Sequence, residues 1–203
     1  VGMGLIGGSY AKALRRLGVK KIIGVDTDGK VLRQAQEQAV IDEALCGAGP
    51  GLQAADVVIC SVYPAATLDF VKSAVPFLQS DVLITDATGI KGSLPEDVQR
   101  LLTGRMEFIA GHPMAGRQGS GLGMSQAEIF DGANYIVVPA AFNSSGAIEW
   151  VSSFAGAIGC GQVVQVDAVE HDRIIAYTSN LPHALAVALI NSCLLYTSPS
   201  PRD

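Results

Sequence analysis

The stretch GMGLIGGS, residues 2–9, decides how the rest of the chain is read. Its glycines at 2, 4 and 7 have the spacing G-x-G-x-x-G, and residues 5–17 behind them form a helical stretch closed by Gly18 at a left-handed cap position. Each glycine has its own task in such a turn. Gly2 permits the tight bend, Gly4 lets a pyrophosphate approach the backbone, and Gly7 lets helix and strand pack closely. The helix start, with Leu5 and Ile6, then offers free N–H groups and positive partial charge to an anion.

The next apolar segment, KKIIGVD (20–26), ends on Asp26, about 20 residues past the loop. A carboxylate at that place accepts hydrogen bonds from ribose hydroxyls and repels a 2′-phosphate, so NAD is favoured over NADP. Asp28 is expected to be a turn or cap residue. Ser61, at the end of the segment ADVVICSV (55–62), is a further candidate cofactor contact.

Similar Val- and Ile-rich segments recur at 81–87, 106–111, 134–139 and 161–167, with helical stretches at 29–39, 65–78, 93–103 and 144–158 between them. Ser93-x-x-Glu96 has capping-box spacing, and Asp167 with Glu170 repeats it at a later helix start. Near-continuous apolar strands alternating with helices predict an α/β fold, a doubly wound and mainly parallel sheet. After Asp167 the pattern becomes one long helical stretch. This places a nucleotide-binding domain at 1–165 with its first strand largely missing, the start of a helical domain at 166–193, and a non-native tail at 194–203. The Ser-Pro repeats in that tail cannot continue a helix.

Composition narrows the function. The 203 residues are 49% hydrophobic with a net charge of −5 and no basic run, which excludes a nucleic-acid surface. No apolar stretch reaches the roughly 18 residues needed to span a bilayer, so no membrane role is expected. Cys46, Cys60, Cys160 and Cys193 lack metal-ligand or CxxC spacing, which predicts no metal site and reduced thiols in a cytoplasmic protein.

Three histidines remain: His112, His171 and His183. His112 follows the strand-like segment 106–111, and parallel sheets bind ligands beyond the C-terminal ends of their strands. Pro113 fixes its local geometry, and glycines at 111, 116, 119, 121 and 123 allow close backbone approach. Helical spacing puts Asp172, Ala176, Ser179 and His183 on one face. His171 and Asp172 are expected to be mainly structural.

GMGLIGGS, ITDATGIKG, GHPMAGR and EHDRIIAYTSNLPHALA occur together and in this order. The combination resembles the prephenate/arogenate dehydrogenase family of tyrosine biosynthesis, over residues 1–193. The resemblance implies a Rossmann-type NAD domain, a helical dimerisation domain and an active site between them. It further implies oxidative decarboxylation of prephenate or arogenate to 4-hydroxyphenylpyruvate or tyrosine. His112 takes the place of the family histidine that accepts the ring-hydroxyl proton as hydride leaves the same carbon. His183 matches a second family histidine on the substrate side, with Ser179 beside it as a candidate substrate contact. The chain departs from the pattern at Thr88-Gly89, where many members have Gly-Ser, so Thr88 is the candidate replacement for a serine that orients the catalytic histidine. Gln118 stands where the family often has Glu, and Arg117 is not the family's substrate-gripping arginine. Two rival readings are a β-hydroxyacid-type dehydrogenase, whose helical Lys is absent from SNLPHALA, and a non-catalytic NAD-binding module.

Overall fold

The computed structural model describes residues 1–195 of the chain, so the expected tail lies almost wholly outside the described residues. Its core is a five-stranded sheet in the order β3 (Val57–Cys60), β4 (Leu83–Asp86), β5 (Glu107–Pro113), β6 (Asn134–Val138), β7 (Gln162–Gln165). Every pair in it is parallel except β5–β6. A second, parallel pair joins β1 (Ile23–Val25) to β2 (Glu43–Leu45). Val1 and Gly2 bridge the two sheets. The N-terminal ammonium donates to Ile59 O at 2.8 Å, Ser61 N–H to Val1 O at 2.8 Å, and Gly2 N–H to Val25 O at 2.8 Å. Beneath that bridge a cavity of about 510 Å³ separates β1 from β3, lined by residues including Tyr10, Ile23, Val57, Ile59 and Phe154.

Alternate residues of β5 and β6 enter different cores, which shows that both faces of the sheet are covered. Phe108, Ala110, Ile136 and Val138 pack with Val71 of α3 (Pro64–Ala74) and Val98 of α4 (Leu94–Gln99). Ile109, Tyr135 and Val137 pack with Tyr10 of α1 (Leu5–Arg16) and Phe154 of α5 (Ser145–Ala157). Leu32 of α2 (Gly29–Glu37) packs beside β1 with Ile22 and Ile41. The fold is thus the expected doubly wound, mainly parallel α/β sheet.

Local chemistry explains most boundaries. Gly18 closes α1 at φ +76°, a conformation that costs a residue with a side chain far more. Asp28 caps α2 by accepting the Lys30 N–H, and Asp167 caps α6 (Ala168–Ile175) by accepting the Glu170 N–H at 2.9 Å. Other expectations need correction. Ser93 does not cap α4, because its hydroxyl donates to Asp97 at 2.7 Å instead. Pro76 turns the end of α3 into the 3-10 turn Val75–Phe77. Strand β5 continues through His112 and Pro113, held by antiparallel pairing to Ile136 and Tyr135, so His112 is a strand residue and not a loop residue.

The long helical stretch is continuous from Ala168 to Ser192, 25 residues with a mean hydropathy of 1.2 in its most apolar window. By length and composition alone that is enough to cross a bilayer, although Thr178, Ser179, Asn180, Pro182 and His183 interrupt its apolar run. Its first turns are nevertheless charged and docked: Ile175 joins the core beside Ile136 and Val138. A π-helical turn, Ala176–Asn180, separates α6 from α7 (Leu181–Leu195). Pro182 just behind it has no N–H to give the preceding turn, and the wider turn accommodates that loss.

Candidate active site

The glycine loop and His112 open on the same edge of the sheet, the C-terminal edge of the parallel strands. A Cβ on Gly7 would lie 1.8 Å from Gly2 O, so only glycine lets α1 approach the loop this closely. A Cβ on Gly4, in contrast, would meet nothing within 4 Å, which leaves open space where a ligand would approach. No side chain caps α1 and no acidic residue sits in its first turn, so its first N–H groups, including those of Leu5 and Ile6, keep their anion-binding capacity. Ser61 Oγ is buried without a hydrogen-bond partner beside Gly7. Asp26 accepts the Met3 N–H at 2.7 Å on one oxygen and the Asp28 N–H at 2.9 Å on the other. Each oxygen keeps a lone pair for a ribose hydroxyl. These residues fit a dinucleotide.

Asp86, the last residue of β4, organises the chemistry behind His112. Its carboxylate accepts the Gly111 N–H at 2.9 Å, the Thr88 N–H at 3.0 Å, the Thr88 hydroxyl and both arms of a bond from Lys91 Nζ at 2.8 and 2.9 Å. Lys91 Nζ also reaches Gly111 O at 2.6 Å and Thr88 Oγ1 at 3.2 Å. Both charged side chains are fully buried. Burial pulls the Lys91 ammonium below its usual pKa, and the Asp86 carboxylate opposes that pull. The pair clamps both polar groups of Gly111, and thereby the strand immediately before His112. Gly111 has to be glycine: a Cβ there would sit 2.4 Å from the Tyr135 hydroxyl.

His112 Nδ1 lies 2.9 Å from His171 Nε2, and His171 Nδ1 lies 2.7 Å from Asp172 Oδ1. Burial, then the charges of Lys91 and His171, push the His112 pKa down to about 4, against the opposing pull of Asp86 and Asp172. The ring is therefore neutral at neutral pH. Nε2, its other nitrogen, faces the backbone of Gly89, where a Cβ would stand 3.7 Å away.

The structure brings some sequence candidates together and separates others. Thr88 belongs to the Asp86–Lys91 cluster, and its hydroxyl bonds Asp86 and Ile90 O and not the histidine. The position facing the ring is Gly89. Ser179, His183 and Gln118 are exposed, with no hydrogen bond from their side chains among the described residues. The π-helical turn breaks the 3.6-residue phase, so Ser179 and His183 do not continue the face of Asp172. The residues that sequence reasoning undervalued are His171 and Asp172, together with Asp86. Among the described residues no group of three His, Cys, Asp or Glu side chains could hold a metal.

Comparison with known proteins supplies the family. Residues 10–164 match the family described as prephenate dehydrogenase, nucleotide-binding domain. The chain is 32% identical to the prephenate dehydrogenase of Lactococcus lactis over 94% of its own length, but spans only 52% of that protein. It superposes on the crystal structure of A. aeolicus prephenate dehydrogenase in complex with hydroxyphenyl propionate and NAD+, with a TM-score of 0.89, 30% identity, and coverage of 98% of this chain and 69% of that one. For the Synechocystis arogenate dehydrogenase the TM-score is 0.84 at 28% identity, with 98% and 69% covered.

Proposed function

Because the chain belongs to the prephenate dehydrogenase nucleotide-binding domain family, we propose that it forms the cofactor half of an NAD-dependent dehydrogenase acting on prephenate or arogenate. The observation that carries this reading is the neutral His112 ring, held in β5 with one nitrogen free at the sheet edge shared with the glycine loop. NAD, when bound, would take the hydride from the ring carbon that bears the hydroxyl. Gly4 and the first turn of α1 would hold its pyrophosphate, Ser61 and Thr88 would border it, and Asp26 would select a ribose without a 2′-phosphate.

His112 accepts the ring-hydroxyl proton at Nε2 while that carbon is oxidised. Loss of the ring carboxylate as CO2 then aromatises the product to 4-hydroxyphenylpyruvate, or to tyrosine from arogenate. A neutral imidazole suits the step, since only that form can take a proton. His183, Ser179 and Gln118 are the substrate-side candidates of this reading. A cytoplasmic homodimer of the whole protein belongs to the same proposal.

The test follows NADH absorbance in the full-length protein with prephenate and with arogenate. Turnover on one of them is expected, with His112→Asn lowering kcat by about 10²–10⁴-fold and leaving NAD affinity intact. No turnover on either substrate overturns the reading, as does an unimpaired variant. NAD binding with a dispensable His112 would instead favour a non-catalytic nucleotide module.

A further inference from the structure

His171 is fully buried on the first turns of α6, 59 residues from His112 in sequence, yet their rings share a hydrogen bond. Asp172 closes the row from the other side. Its Oδ1 accepts the Lys91 N–H at 2.9 Å as well as bonding the His171 ring, and its Oδ2 accepts the Gly92 N–H at 2.8 Å. Burial works to raise the Asp172 pKa, but the two backbone bonds and the His171 ring outweigh it and hold the carboxyl below its usual range.

Those bonds settle where the hydrogens lie. A carboxylate only accepts, so the hydrogen between Asp172 and His171 is on His171 Nδ1. His171 is neutral at neutral pH, because burial, joined by the charge of Lys91, holds its pKa below the usual histidine value against the pull of Asp172 and Asp86. Its Nε2 is then bare and can only accept, so the hydrogen in the next bond is on His112 Nδ1. That leaves the His112 lone pair on Nε2, beside Gly89 and away from the packed helix.

We infer that His171 and Asp172 are positioning residues that fix His112 in the tautomer whose Nε2 is the free base. The inference rests on the reading of His112 as proton acceptor. When Nε2 takes the substrate proton, the cationic ring keeps Nδ1–H pointed at His171, and His171 keeps its own Nδ1–H on Asp172. No bond in the row has to break. The negative charge of Asp172 favours the cation across the neutral ring, and Asp86 does the same from beneath. Lys91 opposes both, so these three charges facing the histidine pair surround a base that burial keeps neutral until it is used.

Two measurements test this. On the 203-residue chain, histidine-selective ¹⁵N NMR at pH 7 should show His112 protonated on Nδ1 and bare on Nε2, and Asp172→Asn should scramble that assignment. A His112 protonated on Nε2 in the unaltered chain overturns the inference, and this arm needs neither a variant nor turnover. In the full-length protein, His171→Leu and Asp172→Asn should each lower kcat by about 10²-fold with KM for NAD unchanged. Asp172→Asn should also move the acid limb of the kcat profile to lower pH. His171→Gln, whose amide oxygen can still accept from His112, should recover much of the loss. If wild type turns over and His112→Asn is inactive, yet His171→Leu and Asp172→Asn keep full kcat and an unmoved pH limb, the positioning role fails alone. If wild type turns over neither substrate, the proposed function fails, and the tautomer measurement still decides the inference.

Discussion

A histidine that refuses a proton in the folded state makes folding sensitive to mild acid. The unfolded ring titrates near about pH 6.5, whereas burial, Lys91 and His171 hold His112 down to about 4. Between those values the unfolded chain binds a proton that the native chain does not. Stability therefore falls as pH drops through the window, by up to about 1.4 kcal/mol per unit from this group. His171, lowered in the same direction, adds to the slope. Urea midpoints measured from pH 7 to 4.5 should decline less steeply in His112→Gln than in wild type, since other acid-sensitive groups are common to both. Lys91 gives a second expectation at this scale. Lys91→Met leaves the Asp86 carboxylate buried without its cation, and thermal or urea unfolding should show a loss of about 3–5 kcal/mol.

At the scale of elements, the glycine loop separates packing from binding. Gly7→Ala drives a methyl group into the backbone of Gly2 with no flexible side chain to yield, so α1 must shift and the melting temperature should fall markedly. Gly4→Ala meets only open space, so stability should stay within about 0.5 kcal/mol while NAD titrations lose affinity. A stability loss in Gly4→Ala equal to that of Gly7→Ala would contradict the division. This loop was legible in sequence because its spacing is local, and so were the largely apolar strands β3 to β7 and the caps at Asp28 and Asp167. Strand β2 was not, since Glu43–Leu45 is three residues long, has no β-branched residue and depends on β1 for its pairing. The extension of β5 over His112 and Pro113 was hidden for a similar reason: an antiparallel partner decides it, and a proline ordinarily argues for an end. The direction of the Thr88 hydroxyl depended on a buried ion pair, and the contact between His112 and His171 on how α6 docks. No window of sequence contains either.

The whole molecule presents a body covered on both faces and an apolar arm that is not. Leu181, Leu185, Leu189 and Ile190 of α7 are 46–68% exposed, a stripe larger than single scattered apolar residues would make. Sedimentation should show concentration-dependent association of the 203-residue chain, and Leu185→Lys with Leu189→Lys should reduce it. Unchanged association in that double variant would contradict this assignment to α7. The arm joins the body through the π-helical turn Ala176–Asn180. Removing one residue there would restore α-helical spacing, because the wide turn carries one residue more through nearly the same rotation; α7 would keep its heading while His171, Asp172 and Ile175 stay seated on the sheet. The turn is thus a slack link: it takes up one surplus residue, so the arm and the histidine row each keep the side they present.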